Sequence, residues 1–248
     1  MFEGDYLNNK RWNGKGYDNK KNIIYELKNG KGFIKEYDYC NGKLIFEGEY
    51  LKGKRWNGIG IEDSKSFFFE GEFNQGKKWN GRLKEYNGDK LIFDGEYKNG
   101  KKNGKGKDFN YNNGYFIFEG DYKDGYRNGK GKEYEFNELI FEGEYLNGKR
   151  SGQGKEYKNK ELVFEGEYLN EERNGKGKQY WNGKLKFEGE FLNGKREGKG
   201  KEYNYEGAVV FEGEYSEGKR NGKGKEYNNN GELKFEGNYS NGIKIDDK

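Results

Sequence analysis

The chain has 248 residues, 48 basic against 44 acidic, with 30% hydrophobic but 18% aromatic side chains and a mean hydropathy of −1.41. A net charge of +4 is too even to mark a nucleic-acid binder. No apolar run reaches the ~18 residues of a transmembrane helix, and no secretory leader opens the chain. With no His and with Cys40 as the only cysteine, there is no common acid–base catalyst and no internal disulfide, so a reducing, cytoplasmic setting is expected.

Such low hydrophobicity would ordinarily signal disorder, but the aromatics recur at fixed positions. An aromatic–acid–glycine marker stands at Phe2, Phe46, Phe69, Phe93, Phe118, Phe141, Phe164, Phe187, Phe211 and Phe235, spaced 23 to 25 residues apart from Phe46 onward. The gap after Phe2 holds a degraded copy at 23–45. Residues 235–248 read as a truncated terminal copy with Asp246-Asp247 as a polar cap. Residues 1–248 therefore form one repeat domain in this reading.

The copy from Phe141 to Tyr157 gives the pattern. Phe141, Gly143 and Tyr145 alternate with Glu142 and Glu144, the period-two signature of a strand. Asn147-Gly148 supplies the positive-φ pair of a hairpin turn. A hairpin centred there puts Phe141 opposite Gly154 and Gly143 opposite Gly152. Glu142 then faces Gln153, whose place Lys105, Lys130, Lys176, Lys199 and Lys223 take elsewhere. One face thus carries aromatics lying over glycines, and the other a Glu–Lys ladder. Exposed cross-strand charge pairs add roughly 0.2–1 kcal/mol at most, so the aromatic face supplies the cohesion.

Lys155-Glu156-Tyr157 returns to a second turn of variable length, where a bulge must absorb one-residue changes. Alternation leaves the face of Tyr157 open. No segment has helical periodicity. The expected fold is all-β: an elongated, twisted antiparallel sheet of about ten tandem β-hairpins, open rather than closed into a barrel.

Aromatic-x-Gly-x-aromatic, then Asn-Gly, then Gly-x-Gly resembles the MORN repeat (membrane occupation and recognition nexus). Phe141, Gly143, Tyr145, Gly148, Gly152 and Gly154 fall on that pattern, which covers nearly the whole chain. The family's usual Trp is Tyr or Phe here, as at Tyr145 and Phe191. Its frequent His is Asn103, Ser151 or Glu197, and Asn182 to Phe191 is similar to the variant MORN repeat. The resemblance implies an extended sheet with one groove-like aromatic face, working as a scaffold or a membrane-proximal module.

Three features compete as functional surface. Lys10-Arg11, Lys54-Arg55, Lys77-Lys78, Lys101-Lys102, Lys149-Arg150, Lys195-Arg196 and Lys219-Arg220 hold equivalent hairpin-tip positions. Stacked roughly 9–10 Å apart, they suit anionic phospholipid at about 1 kcal/mol each, or are ordinary solvated tips. Trp12, Trp56 and Trp79 follow such pairs, as an interface patch or as plugs closing their own hairpins. The aromatic face is either packing or a ligand platform. Gly-x-Gly without a following helix makes no dinucleotide loop, and Cys40 without His makes no catalytic dyad. The expected function is a non-enzymatic scaffold with a protein partner, without cofactor or nucleic acid, and with homodimerisation through an edge or face open. The alternative is a peripheral membrane module.

Overall fold

The computed structural model describes residues 1–18, 20–38 and 40–245; the acidic pair proposed as an end cap lies outside them. It divides into two compact units, one of residues 1–115 with 122–126, the other of residues 116–121 with 127–248. No helix occurs among the described residues.

The first unit begins with a three-stranded antiparallel sheet, β1 (Phe2–Leu7), β2 (Lys10–Tyr17) and β3 (Ile23–Leu27). It continues through β4 (Gly32–Tyr37), β5 (Leu44–Leu51), β6 (Lys54–Asp63), β7 (Phe67–Asn74), β8 (Lys77–Asn87), β9 (Lys90–Lys98) and β10 (Lys101–Phe109). Strand β11 (Phe116–Lys123) contributes residues to both units, and Tyr126, the first residue of the next strand, belongs to the first unit. The second unit holds β12 (Tyr126–Glu135), β13 (Glu138–Leu146), β14 (Lys149–Lys158), β15 (Glu161–Leu169), β16 (Glu172–Trp181) and β17 (Lys184–Leu192). It ends with β18 (Lys195–Tyr203), β19 (Val209–Ser216), β20 (Lys219–Tyr227), β21 (Leu233–Ser240) and β22 (Ile243–Ile245). Within each unit neighbouring strands pair antiparallel as tandem hairpins, except that among the described residues only the isolated Lys28–Lys31 bridge stands between β3 and β4, and no sheet closes on itself.

Turn chemistry matches the sequence: Asn147 and Gly148 take φ of +50° and +88°, both positive as the hairpin requires. The register beyond the turn does not. Leu146 pairs Lys149 and Tyr145 pairs Arg150 as the turn dictates, but then Gly143 pairs Gly154, Glu142 pairs Lys155 and Phe141 pairs Glu156. Ser151, Gly152 and Gln153 together oppose Glu144, a bulge made possible by the φ of +87° at Gly152. An offset of two residues leaves every side chain on its expected face. Phe141 therefore still reclines on the glycines: a Cβ added to Gly154 would stand 2.5 Å from Phe141 Cζ and 3.1 Å from Tyr168 Cδ2.

Glycines line up strand after strand in an unbroken row from Gly131 through Gly143, Gly154, Gly166, Gly177, Gly189, Gly200, Gly213 and Gly224 to Gly237. Phe141, Phe164, Phe187 and Phe211 lie on this floor with no exposed surface. They alternate edge to face with Tyr145, Tyr168, Phe191, Tyr215 and Tyr239, a chain of rings from Phe118 to Phe235 with centroids 5.1–5.7 Å apart. Each such pair adds about 0.5–1.5 kcal/mol beyond area burial. In the first unit Phe46, Phe69 and Phe93 are buried in the same way.

The linking turns carry the expected bulges, for instance between Glu156 and Tyr157, where Glu156 pairs Phe164 and Tyr157 pairs Leu162. Tyr157 joins the charged face, and its hydroxyl donates to Glu142 Oε1 at 2.7 Å.

Gly154→Ala should destabilise the chain by about 1–3 kcal/mol, because two ring edges must move. Gly183→Ala, with no neighbour within 4 Å but φ of +72°, should cost about 1 kcal/mol in backbone strain alone. Urea unfolding followed by circular dichroism checks the order; equal losses would refute the glycine floor.

Candidate interaction surface

The aromatic face is roofed. The Arg150 guanidinium sits 4.2 Å from the centroid of Phe141 and pairs with Glu133 of the preceding hairpin. Arg173 repeats this over Phe164 with Glu156, and Arg220 over Phe211 with Glu202 at 2.6 Å and Glu226 at 2.8 Å. In the first unit Arg55 lies 4.9 Å from Phe46 and pairs Glu36 at 2.8 Å, while Arg11 lies 5.5 Å from Phe2. Lys102 covers Phe93 at 3.8 Å and pairs Glu85, and Lys78 pairs Glu62 at 3.2 Å. The second member of each basic pair thus turns inward to cover a ring, where cation–π attraction and a neighbouring carboxylate hold it.

Only the first member stays at the tip. Lys54, Lys77, Lys101, Lys149, Lys195 and Lys219 are exposed and Lys10 is half-buried; Lys195 pairs with Glu217 of the next tip. Across the strands Leu146 faces Lys149 and Leu192 faces Lys195, 56% and 49% exposed, while Leu169, 52% exposed, faces Glu172, an apolar component that sequence reasoning did not single out. It also missed Arg127 and Arg173, which roof Phe118 and Phe164 without a preceding lysine. Their signal is the arginine spacing from its own phenylalanine, visible once the Lys-Arg pair is not read as a unit.

Trp12, Trp56 and Trp79 are the extra residues of one-residue bulges. Tyr50 pairs Arg55 and Glu49 pairs Asn57, leaving Trp56 between them, and the other two hairpins repeat this. Each indole lies against the turn glycine of the following hairpin: Trp12 on Gly30, Trp56 on Gly76, Trp79 on Gly100. The Trp carbonyls accept those glycine N–H groups at 2.8, 2.9 and 3.0 Å. The next residues, Asn13, Asn57 and Asn80, accept the N–H of Asn29, Gln75 and Asn99. The indoles are half-buried and neither plug their own hairpin nor stand clear as a patch. Trp181, by contrast, is 70% exposed at a linking turn.

Bulge chemistry accounts for the second glutamate of the motif. Glu144 folds over Gly152 and accepts the Gln153 N–H at 3.2 Å; Glu214 does the same for Lys223 at 3.0 Å. The first glutamates form the charged ladder, Glu142 between Lys132 and Lys155, Glu165 between Lys155 and Lys178, onward to Glu236. Among the described residues no group of three or more His, Cys, Asp or Glu is placed to hold a metal ion.

Burial raises Glu156, yet hydrogen bonds from Arg173 and Tyr168 carry it below the usual carboxylate range. On the other face, burial and then the Glu142, Glu165 and Glu188 acceptors push Tyr157, Tyr180 and Tyr203 up to about 12. Raised phenol values mean stability that is complete below the ~10 of an unfolded tyrosine and lost as pH climbs through about 12. Tyrosinate absorbance and far-UV circular dichroism should therefore change together over pH 10 to 12, with Tyr157→Phe shrinking the amplitude. Tyrosines that ionise near 10 with the fold intact would contradict this.

Arg173→Ala should cost about 3–5 kcal/mol, since it strands the Glu156 carboxylate and uncovers Phe164. Lys149→Ala, at an exposed tip, should stay within about 0.5 kcal/mol of the parent. Thermal or urea unfolding separates the two, and similar costs would mean that the roof adds no stability.

Comparison with protein-family models matches the MORN repeat at residues 93–107, 118–134, 141–160, 164–184, 187–209 and 211–232. The Trp-bulged hairpins lie before the first match. No curated protein matches the chain.

Proposed function

The chain belongs to the MORN repeat family, which is not a family of enzymes, and on that premise we propose that it is a non-enzymatic scaffold that binds proteins through surface presented by tandem hairpins. The observation that carries this reading is the roof. The phenylalanines from Phe118 to Phe211 rest on glycine and several lie under a guanidinium, so the inner face has no bare ring to offer a small substrate. Chemical variety is left to the tips and the charged face. A cytoplasmic setting fits the single exposed Cys40.

A peripheral membrane role is the second reading, favoured by exposed Leu146 and Leu192 opposite Lys149 and Lys195. Leucines that dip into a headgroup region flanked by lysines on an anionic surface are a workable interfacial pair. Trp12, Trp56 and Trp79, engaged with neighbouring turns, contribute less to it than a free indole would.

Cosedimentation with phosphatidylserine vesicles, run beside light scattering in solution, separates the readings. A scaffold should leave the vesicles unbound at low salt. Salt-sensitive sedimentation that Lys149→Glu, Lys195→Glu and Lys219→Glu together abolish would replace the scaffold reading with the membrane one. Concentration-dependent dimerisation would add a self-associating scaffold.

A further inference from the structure

In the second unit the ladder glutamates are compensated by lysines, as Glu142 stands between Lys132 and Lys155 and Glu165 between Lys155 and Lys178. In the first unit that compensation fails at one place. Phe33 and Ile59 occupy the middle of their Gly-x-Gly or Gly-x-Ile segments, where later copies carry Lys105, Lys130, Lys176, Lys199 and Lys223. Ile61 takes the following ladder position, held by Lys132, Lys155, Lys178 and Lys201 elsewhere. Phe33 is 59% and Ile59 66% exposed, and Ile61 is half-buried.

The carboxylates around them remain. Phe33 pairs across the strands with Glu49, Ile59 with Glu47 and Glu72, and Ile61 with Glu70. Lys35 neutralises Glu47 at 2.9 Å. Glu49 accepts only the Asn57 amide, at 2.8 Å, and Glu72 the Asn80 amide, at 2.6 Å. Glu70 has Arg82 opposite it, but that guanidinium is drawn to Asp94 at 2.9 Å. Glu49, Glu70 and Glu72 are exposed and, among the described residues, without an ion-pair partner.

We propose that this patch on β4–β7, with Phe33, Ile59 and Ile61 ringed by Glu49, Glu70 and Glu72, docks a basic segment of a partner protein that presents apolar side chains between lysines or arginines. The inference rests on the protein-scaffold reading and names the partner's chemistry for a surface away from the lysine tips. Exposed apolar groups set among carboxylates select a cationic partner with apolar anchors. The same carboxylates repel anionic lipid and nucleic acid.

The test uses the full chain and a labelled peptide of alternating lysine and leucine, followed by fluorescence anisotropy, with an alternating glutamate and leucine peptide as control. Binding should weaken as salt rises. Phe33→Lys with Ile59→Lys restores the residue type of the later copies, so the strands should keep their circular dichroism while affinity drops at least about tenfold. Glu49→Gln with Glu72→Gln should lower affinity and flatten the salt dependence. No lysine-peptide binding, equal binding of the glutamate peptide, or affinity unchanged by the lysine pair overturns the proposal. A dimer in light scattering that the lysine pair dissolves overturns it too, in favour of a second copy as occupant. The vesicle experiment reads other residues, so failure of the peptide titration stays distinguishable from failure of the scaffold reading.

Discussion

A phenylalanine ring lying flat on a glycine backbone is the contact on which the rest depends. A Cβ at Gly154, Gly177 or Gly200 would meet the ring of Phe141, Phe164 or Phe187, so the floor has to be glycine for the ring to reach it. The ring can then bury on the order of 150–250 Å² in a chain whose mean hydropathy is −1.41. Flat rings leave their edges to the alternating tyrosines and their upper faces to guanidinium groups. Aromatic packing thereby draws charged residues over the rings, with Arg150, Arg173 and Arg220 each held by a carboxylate of the preceding hairpin.

One repeat shows how tightly this roof is coupled. Phe191 stands where neighbouring copies carry Tyr168 and Tyr215, and Gln179 where they carry Glu156 and Glu202. Tyr168 donates to Glu156 at 2.5 Å and Tyr215 to Glu202 at 2.8 Å. Without a hydroxyl at Phe191 the carboxylate is also absent, and Gln179 Oε1 accepts from Arg196 Nε and Nη2 at 2.9 and 2.8 Å. A carboxylate there would keep its arginine but lose its phenol donor, so the two positions behave as one polar network.

The period, the turns, the glycine floor and the two faces were legible because each is written in residue type: aromatic, Asn-Gly, Gly-x-Gly, alternating Glu. The register was not, because a bulge depends on backbone angle and the sequence records Gly152 and Gly154 identically. Only Gly152 has a φ in the left-handed region. The roles of Trp56 and Arg150 were hidden for a related reason. Both sit at tips, where composition suggests exposure, yet neighbouring hairpins reach over them, and sequence distance conceals contacts between adjacent copies.

Function follows from where this packing leaves freedom. A substitution beneath or above a ring disturbs glycine, tyrosine, arginine and carboxylate together, whereas one on the charged face alters only a ladder pair worth roughly 0.2–1 kcal/mol. The charged face can therefore change its pattern at little cost to the fold, and it has done so at Phe33, Ile59 and Ile61. Losing those lysines exposes apolar surface and releases carboxylates at once. Neither change benefits an isolated sheet, because exposed apolar area is unfavourable in water and like charges repel. Both are relieved by one kind of contact, an apolar group with a cation beside it, which gives the first unit a chemical identity that the neutral ladder of the second lacks.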